Sequence, residues 1–498
     1  MFRICLRYSS LISRHRLQTC TSQNILMRSM HASQVQKNVD VDEVHRIPPQ
    51  LNYKYLAENA EAVEDNMRKR NYDGNSAQLL KKLYLSQIQS LSDAEQFKIQ
   101  RDEVNKQIRS AKSKDERQIY IDQAKHLKEQ LRVAEEKASA IEAEMVTQAL
   151  MIPNDTHPDV PIGPEENAKI LKIVGEKRTE SYPLLDHLTL MERLDLVDFQ
   201  QAALVTGSKF FYLKNSGVWL EFALIQYAMD KAASRGFTPI ITPDVVRTSI
   251  AYGCGFQPRK KESSQIYDIS TTSTVNTTTP KLCLAGTAEI PLAGMYAKKM
   301  INEDELPKRM VGFGRAFRAE AGHGSAEERG LYRVHQFSKV ELFAVAAPGQ
   351  SDGILQEFRE LQEELFTELG LCFRVLDMPT EELGASAYRK YDIEAWMPGR
   401  EAWGEICSTS NCTDYQTRRL DIRYLSSQFK ENVGPKDVRV PWHIKEKWVN
   451  YCHTLNGTAM AVPRVIIALV ETYQQEDGTI KVPEVLRKWI PGQPSILK

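Results

Sequence analysis

The sequence lacks most of the features that would assign it to a class at a glance. Its 8 cysteines stand singly, at 5, 20, 254, 283, 372, 407, 412 and 452, with no Cys-x-x-Cys pair and no His-x-x-x-His spacing. That argues against a closed structural zinc site, and scattered single cysteines suit a reducing compartment. No run approaches 18 uncharged apolar residues, so no transmembrane helix is expected. No sign of charge dominates: Lys+Arg 65 balance Asp+Glu 65. A nucleic-acid partner would therefore have to meet a local basic patch. No Gly-x-Gly-x-x-Gly opens a helix after a strand, and no Walker-A sequence occurs. A bound nucleotide would be held another way, with arginine the suited residue, since its planar fork grips phosphate at two points and keeps its charge. The rest is ordinary. A hydrophobic share of 42% and a charged share of 26% exclude collagen-like, disordered and disulfide-scaffold chains. A length of 498 residues leaves room for two or three domains.

Acidic residues are missing from Met1 to Val39, where Arg3, Arg7, Arg14, Arg16, Arg28 and Lys37 are spread among Leu6, Leu11, Ile12, Leu17 and several serines. This is the composition of a mitochondrial transit peptide, expected over residues 1–38 with cleavage near 28–38. The arginines interrupt the continuous apolar run that a secretory signal needs.

From about Ser76 to Leu150 there is neither proline nor glycine. Good helix formers dominate. Ile121, Ala124, Leu127, Leu131, Ala134, Ala138, Ile141 and Met145 repeat in steps of three and four, the mark of a coiled-coil seam. Leu80, Leu83, Ile88, Leu91, Phe97, Val104 and Ile108 form a less regular first half. The pattern stops at Ser110–Glu116. Two antiparallel helices of roughly 35 residues each are expected, an arm about 50 Å long. Near its tip lie Lys106, Arg109, Lys112, Lys114 and Arg117, placed to reach phosphates far from the body. Asp102, Glu103, Asp115 and Glu116 are interleaved, so charge alone favours a solvated helix face over a phosphate-binding tip.

Pro153, Pro158 and Pro161 end the helical pattern and mark a linker. Beyond it, the spacing predicts helices over 219–235, 352–369 and 462–473. It predicts strands over 309–320, 331–344 and 404–410, and an extended edge segment from Phe237 to Pro243. Strands separated by long insertions, rather than βαβ units, predict an α+β fold with an antiparallel sheet.

Phe317-Arg318-Ala319-Glu320, a loop, then Arg329-Gly330-Leu331-Tyr332-Arg333-Val334-His335-Gln336-Phe337 resembles motif 2 of class II aminoacyl-tRNA synthetases. Gly236 to Pro243 resembles motif 1, and Ala461-Val462-Pro463-Arg464 resembles motif 3. Within that class, Leu284 to Glu289, Phe337 to Glu341, Gly404 to Asn411, Asp414 to Arg419 and His453 to Thr458 resemble the seryl-tRNA synthetases. The resemblance runs from about residue 50 to the end, and with the leader it is to the mitochondrial type. It implies a helical tRNA-binding domain over 50–160, with its hairpin at about 76–150, and a class II catalytic domain over 170–498. It also implies the substrates L-serine, ATP and tRNA(Ser), a homodimer formed through motif 1, and the mitochondrial matrix.

The roles it implies fall on particular residues. Arg318 would bridge the serine carboxylate and the α-phosphate, and Arg464 would hold the γ-phosphate. Glu320 would meet the adenine edge and share a strand face with Arg318, and Phe337 would stack on adenine. Arg329 would touch phosphate or the tRNA acceptor end. Glu405 and Ser408 would hold Mg²⁺, with Cys407 a packing residue. Thr287, Glu289, Glu341, Asn456 and Thr458 would bind serine, a substrate small enough that selectivity must come from hydrogen bonds. Ala459 and Pro463 replace glycines usual in bacterial forms, and residues 379–384 depart from the bacterial pattern, so no site role is assigned there. The alternative is a catalytically inactive relative that binds tRNA or regulates. Such a chain should have lost an arginine or a serine-contacting carboxylate, and none is lost.

Overall fold

A computed structural model describes residues 47–256, 265–270, 281–320, 329–429 and 445–498. The leader, with its expected cleavage region, and the middle of the motif 2 loop lie outside the described residues.

Two short helices, α1 (Tyr53–Glu58) and α2 (Ala60–Lys69), lead into the arm. Helices α3 (Asn75–Ser110) and α4 (Lys114–Leu150) pair as an antiparallel hairpin of 36 and 37 residues. At 1.5 Å per residue α3 spans about 54 Å. The break at the tip is a helix start: Ser113 Oγ accepts from the Glu116 N–H at 3.1 Å, and the Glu116 carboxylate accepts from the Lys112 N–H at 3.1 Å. The expected seam holds in α4, where Leu131, Ala134, Ala138 and Met145 are buried. In α3 the seam differs from the expectation. Leu80 is buried as expected, but Ile88 and Leu91 are exposed, and Ala77, Ser90 and Ala94 are buried instead. Small residues let the two backbones approach, which outweighs the burial of two larger side chains.

Eight strands form the main sheet: β1 (Lys169–Val174), β2 (Thr238–Ile241), β3 (Lys308–Phe317), β4 (Gln336–Ala346), β5 (Phe373–Asp377), β6 (Arg389–Met397), β7 (Ala402–Asn411) and β8 (His453–Ala461). Their spatial order is β1-β5-β6-β7-β8-β4-β3-β2. Every neighbouring pair is antiparallel except β2 with β3, which is parallel. β2 carries Pro239 and sits at the edge, where a missing N–H breaks no ladder.

Helices α5 (Ser216–Ser234), α6 (Ser351–Glu368) and α7 (Val462–Tyr473) cover one face of the sheet. The period of two along β4 shows how the faces divide. Val340, Leu342, Ala344 and Ala346 join the core under the helices, while Phe337, Lys339 and Glu341 point the other way. Farther along that second face, Phe343 and Val345 are covered by a second cluster that includes Ala251, Leu292 and Leu420.

A buried glutamate ties three segments to α7. Glu471 is fully buried. Its Oε1 accepts from the His187 N–H at 2.9 Å and lies 3.2 Å from His187 Nδ1. Its Oε2 accepts from the N–H groups of Gly399 and Arg400 at 3.0 and 3.3 Å. On the far side of the ring, His187 Nε2 accepts from the Leu331 N–H at 3.2 Å, which places the ring hydrogen on Nδ1. Glu471→Ala strands these donors in the core. It should cost about 3–5 kcal/mol, read as a drop in melting temperature. A melting temperature equal to the parent's would refute the staple.

Candidate active site

The site lies where two neighbouring strands part. β7 and β8 pair only from Thr409–Asn411 to Leu455–Gly457. Past that point the ladder stops, leaving the carbonyls of Ser408 and Thr458 without a strand partner. Gln362, on α6 and 1% exposed, donates its amide to both at 3.0 Å.

Each parting strand also carries a β-bulge. Cys407 pairs with Ile393 and Glu405 with Glu394, so Ile406 is the extra residue. Met460 pairs with Val340 and Thr458 with Glu341, so Ala459 is the extra residue. In a regular strand Glu405 and Ser408 would face opposite ways. The bulge sends Ile406 and Cys407 both into the core, as expected for Cys407, and leaves Glu405 and Ser408 lining one cleft. On β8, Ala459 and Met460 go inward in the same way, and Thr458 and Ala461 face the cleft.

One end of the cleft is built for anions. β3 ends at Phe317, so Arg318 and Glu320 lie just beyond it, not on a shared strand face as expected. Glu320 has a positive φ of 41°, and this turn, not strand alternation, brings it into the cleft with Arg318. Glu320 pairs with Arg333 at 3.5 Å. The Arg318 backbone N–H donates to the His335 carbonyl at 2.9 Å. The Arg318 guanidinium lies 5.4 Å from the centre of the Phe337 ring.

Arg464 stands in the first turn of α7, after Pro463, which needs no N–H partner there. Its Nη1 donates to the Glu405 carbonyl and meets the Glu405 carboxylate, both at 3.1 Å. Its Nε donates to the Tyr332 carbonyl at 3.2 Å, and the Tyr332 ring centre lies 4.7 Å away. Burial, and then the charge of Arg464, push the Arg318 guanidinium below its ordinary range. Two like charges so close make the site favourable for an anion bridging them. Arg329 is exposed and does not line this cleft.

Glu405 and Ser408 offer hard oxygen donors. Asp392 faces Ser408 in register across β6 and β7, and sequence reasoning gave it no role. Its Oδ1 is buried without a hydrogen-bond partner, and its Oδ2 pairs with Lys390 at 2.8 Å. Burial pushes the Glu405 carboxyl up, but Arg464, Lys390 and Arg318 outweigh this and hold it well below the usual carboxylate range. The side chain stays 41% open to the cleft. An ionised carboxylate and a hydroxyl on the cleft wall fit a hydrated Mg²⁺, not a zinc ion seeking sulfur or imidazole.

The other end is small and polar. Glu341 and Thr458 face each other across β4 and β8, with 3.4 Å between Glu341 Oε2 and Thr458 Oγ1. Lys339 Nζ sits 2.7 Å from Glu341 and 3.4 Å from Thr458. Glu289 is 5% exposed, and its Oε1 accepts from Gln416 at 2.5 Å and Asn456 at 3.0 Å. The Glu289 N–H donates to Thr287 Oγ1 at 3.2 Å. Burial, and then the charge of Glu341, push Glu289 up to about 7, against the opposing pull of Gln416, Lys339 and Asn456.

Sequence reasoning gave no role to Lys339, Gln416, Gln362 or Tyr332. Lys339 had a signal: it alternates with Phe337 and Glu341 while Val340, Leu342 and Ala344 are apolar. Gln416 lay within the block Asp414 to Arg419 but was given no role, and Gln362 had no signal, since a buried glutamine reads as a surface residue until its partners are known. The basic residues of the arm, Lys106, Arg109, Lys112, Lys114 and Arg117, are all exposed at the hairpin tip. Among the described residues, Lys106 pairs with Glu103 and the other four make no ion pair.

Comparison with known proteins agrees with this geometry. The model for "tRNA synthetase class II core domain (G, H, P, S and T)" matches residues 273–436. That for "Seryl-tRNA synthetase N-terminal domain" matches 51–156. A serine–tRNA ligase of Rhodopirellula baltica is 43% identical over 447 residues, 88% of this chain and 98% of that protein. A mitochondrial serine–tRNA ligase of Schizosaccharomyces pombe is 41% identical over 446 residues, 88% of each chain. The crystal structure of the Pyrococcus horikoshii seryl-tRNA synthetase complexed with ATP superposes with a TM-score of 0.79. Its sequence is 31% identical, and the match covers 90% of this chain and 99% of that one. With both family domains in order and the cleft residues brought together, the chain belongs to the seryl-tRNA synthetase family of class II.

Proposed function

We infer that the chain activates L-serine with ATP and then transfers the seryl group to tRNA(Ser). The observation that carries this reading is a cleft with two arginines for anions at one end and, at the other, Lys339 and Thr458, against which the buried Glu341 packs. In the first step a serine carboxylate oxygen forms a bond to the α-phosphorus, and the bond to pyrophosphate breaks. In the second, a hydroxyl of the terminal adenosine attacks the seryl carbonyl carbon and AMP leaves.

Arg318 reaches both reacting anions and offsets their repulsion, so positioning and charge stabilisation carry the chemistry. Arg464 holds the γ-phosphate, anchored by Tyr332 and Glu405. Phe337 stacks on adenine and Glu320 meets its edge. Glu405 and Ser408 hold Mg²⁺, which neutralises charge on the phosphates when bound. Thr287, Glu289, Glu341, Asn456 and Thr458 bind serine. Arg329, exposed at the return of the loop, suits the acceptor end of the tRNA.

The helical unit over residues 50–160 serves as the tRNA-binding part, with the arm tip on phosphates. Trp219 on α5, Phe222 beside it and Ile241 on β2 are 44%, 42% and 82% exposed, an apolar face that supports a homodimer through motif 1. The acid-free leader and the mitochondrial relatives, among them one from Bos taurus at 43% identity, support residues 1–38 as a transit peptide and the matrix as the site of action.

Serine-dependent ATP–pyrophosphate exchange tests the whole reading, with threonine and alanine as controls. Exchange with serine alone is expected, and none with a folded protein would overturn it. Arg318→Ala should lower exchange at least about 10³-fold, because a preorganised cation is lost from a dry site.

Glu289 provides a pH test. It keeps its proton below about 7 in the free protein, and the substrate ammonium favours the ionised form. Serine binding then expels a proton, so the serine KM should fall as pH rises from 6 to 8. Glu289→Gln should flatten that slope. At the tip, reversing both Lys112 and Lys114 to glutamate should raise the KM for tRNA several-fold and leave exchange intact. An unchanged tRNA KM and salt dependence would remove the tip from the interface.

A further inference from the structure

The arm and the body have separate cores. Val63, Met67, Leu80, Met145 and Ile152 form a cluster of their own at the arm root, apart from the two clusters of the body. Polar contacts therefore do much of the work at the joint, and they converge on Asn154 in the linker. Arg70, fully buried at the end of α2, donates to the carbonyls of Asn154 and Gly384. Asn66 donates to the same Asn154 carbonyl at 3.0 Å.

From the other side, the Asn154 N–H donates to the Ala385 carbonyl at 2.8 Å. Its side-chain amide lies 2.9 Å from the carbonyls of Ser386 and Cys412 and from Thr413 Oγ1. The segment around Gly384 is the one that departs from the bacterial pattern, and it serves here as the seat of the arm.

Cys412 leads onward to the serine end of the cleft. It follows the last residue of β7, and its N–H donates to the Thr454 carbonyl of β8 at 2.9 Å. Its Sγ accepts from Asn456 Nδ2 at 3.4 Å, and the same amide donates to Glu289 Oε1 at 3.0 Å. Thr454 Oγ1 in turn donates to Gln416 at 2.7 Å, the second donor to Glu289. Cys412 is fully buried and acts as a neutral spacer between two amides.

We propose that Asn154 is a positioning residue for the amino-acid pocket: it seats the arm root on the end of β7 and, through Cys412, fixes the amide of Asn456 that orients Glu289. The proposal rests on the serine-binding reading of that pocket. Asn154 touches no substrate group. Removing its amide frees the end of β7, where Cys412 contacts Asn456 directly and reaches Gln416 through Thr454, while the arginine end of the cleft keeps its own anchors, Tyr332 and Glu405.

The test is ATP–pyrophosphate exchange with the full mature chain as wild type, Asn154→Ala, Asn456→Ala and the double variant. The serine KM of Asn154→Ala should rise about tenfold while kcat and the KM for ATP stay within about twofold. The double variant should be no worse for serine than Asn456→Ala alone, because both changes break one chain of contacts. A structural role without this coupling would lower the melting temperature and leave the serine KM where it was, or would shift both KM values together. Either result overturns the proposal, as does an additive double variant. Should Asn154→Ala fail to fold, Asn154→Ser keeps one donor and is read by the same split between the two KM values. Absence of serine-dependent exchange in the wild type would sink the functional reading itself. Normal wild-type exchange with an unmoved serine KM in the variant would sink only the role of Asn154.

Discussion

A sheet that parts between two central strands is the constraint on which the site depends. A closed ladder from β7 to β8 would fill the space that the cleft occupies. Opening it exposes backbone carbonyls inside a packed core, and each unmet group costs about 1–3 kcal/mol. Gln362 meets two of them with one amide. The bulges at Ile406 and Ala459 finish the task by pushing two consecutive residues into the core on each strand. That offset leaves Glu405 with Ser408, and Thr458 with Ala461, on the cleft side. The irregularity of the sheet is thus what gathers the side chains, and the regular strands on either side hold it in place.

The electrostatics follow from this crowding. Arg318, Arg464 and Lys339 share the cleft with Glu320 and Glu405, with Glu341 buried against Lys339, and no charge there is remote from one of opposite sign. Arg464 is the most firmly held, by a carbonyl on each of two elements and by an aromatic face. It is anchored before any ligand arrives, which limits the reorganisation needed when phosphate binds. Arg318 has fewer fixed partners and lies under the repulsion of Arg464. Its cheapest state is one with an anion between the two guanidinium groups.

Much of this was legible in the sequence, for reasons that differ from place to place. The long hairpin announced itself through a run of helix formers without proline or glycine and a heptad-like pattern in its second half, and α7 was read to the residue because its apolar stripe begins at a proline and ends in polar residues. The candidate residues Arg318, Glu341, Glu405 and Arg464 were singled out through motifs whose order along the chain is specific. What the sequence hid was register. Nothing in Gly404 to Ser410 marks Ile406 as an extra residue, and nothing in α3 shows that Ala94 outranks Leu91 at the seam. Positive φ at Glu320 was hidden for the same reason: turn geometry after β3 depends on what packs around it. The seat of the arm at 384–386 begins at the end of the stretch 379–384 that departs from the bacterial pattern, and nothing marked it as a seat, because its function is to offer carbonyls, which every residue type has.

Selectivity for so small a substrate cannot come from shape alone, since one methylene is worth only about 1–3 kcal/mol in a pocket. The serine end is built accordingly. Glu289, Glu341 and Thr458 are 5%, 2% and 5% exposed, so water does little to replace a missing partner. A ligand that lacks the hydroxyl leaves buried donors and acceptors unmet, and the cost of that mismatch, not any gain in contact, sets the preference. The same logic explains why Glu289 is kept near its titration point. Burial and the neighbouring Glu341 raise its carboxyl to about 7, so near neutral pH a bound proton relieves part of the cost of two buried carboxylates side by side.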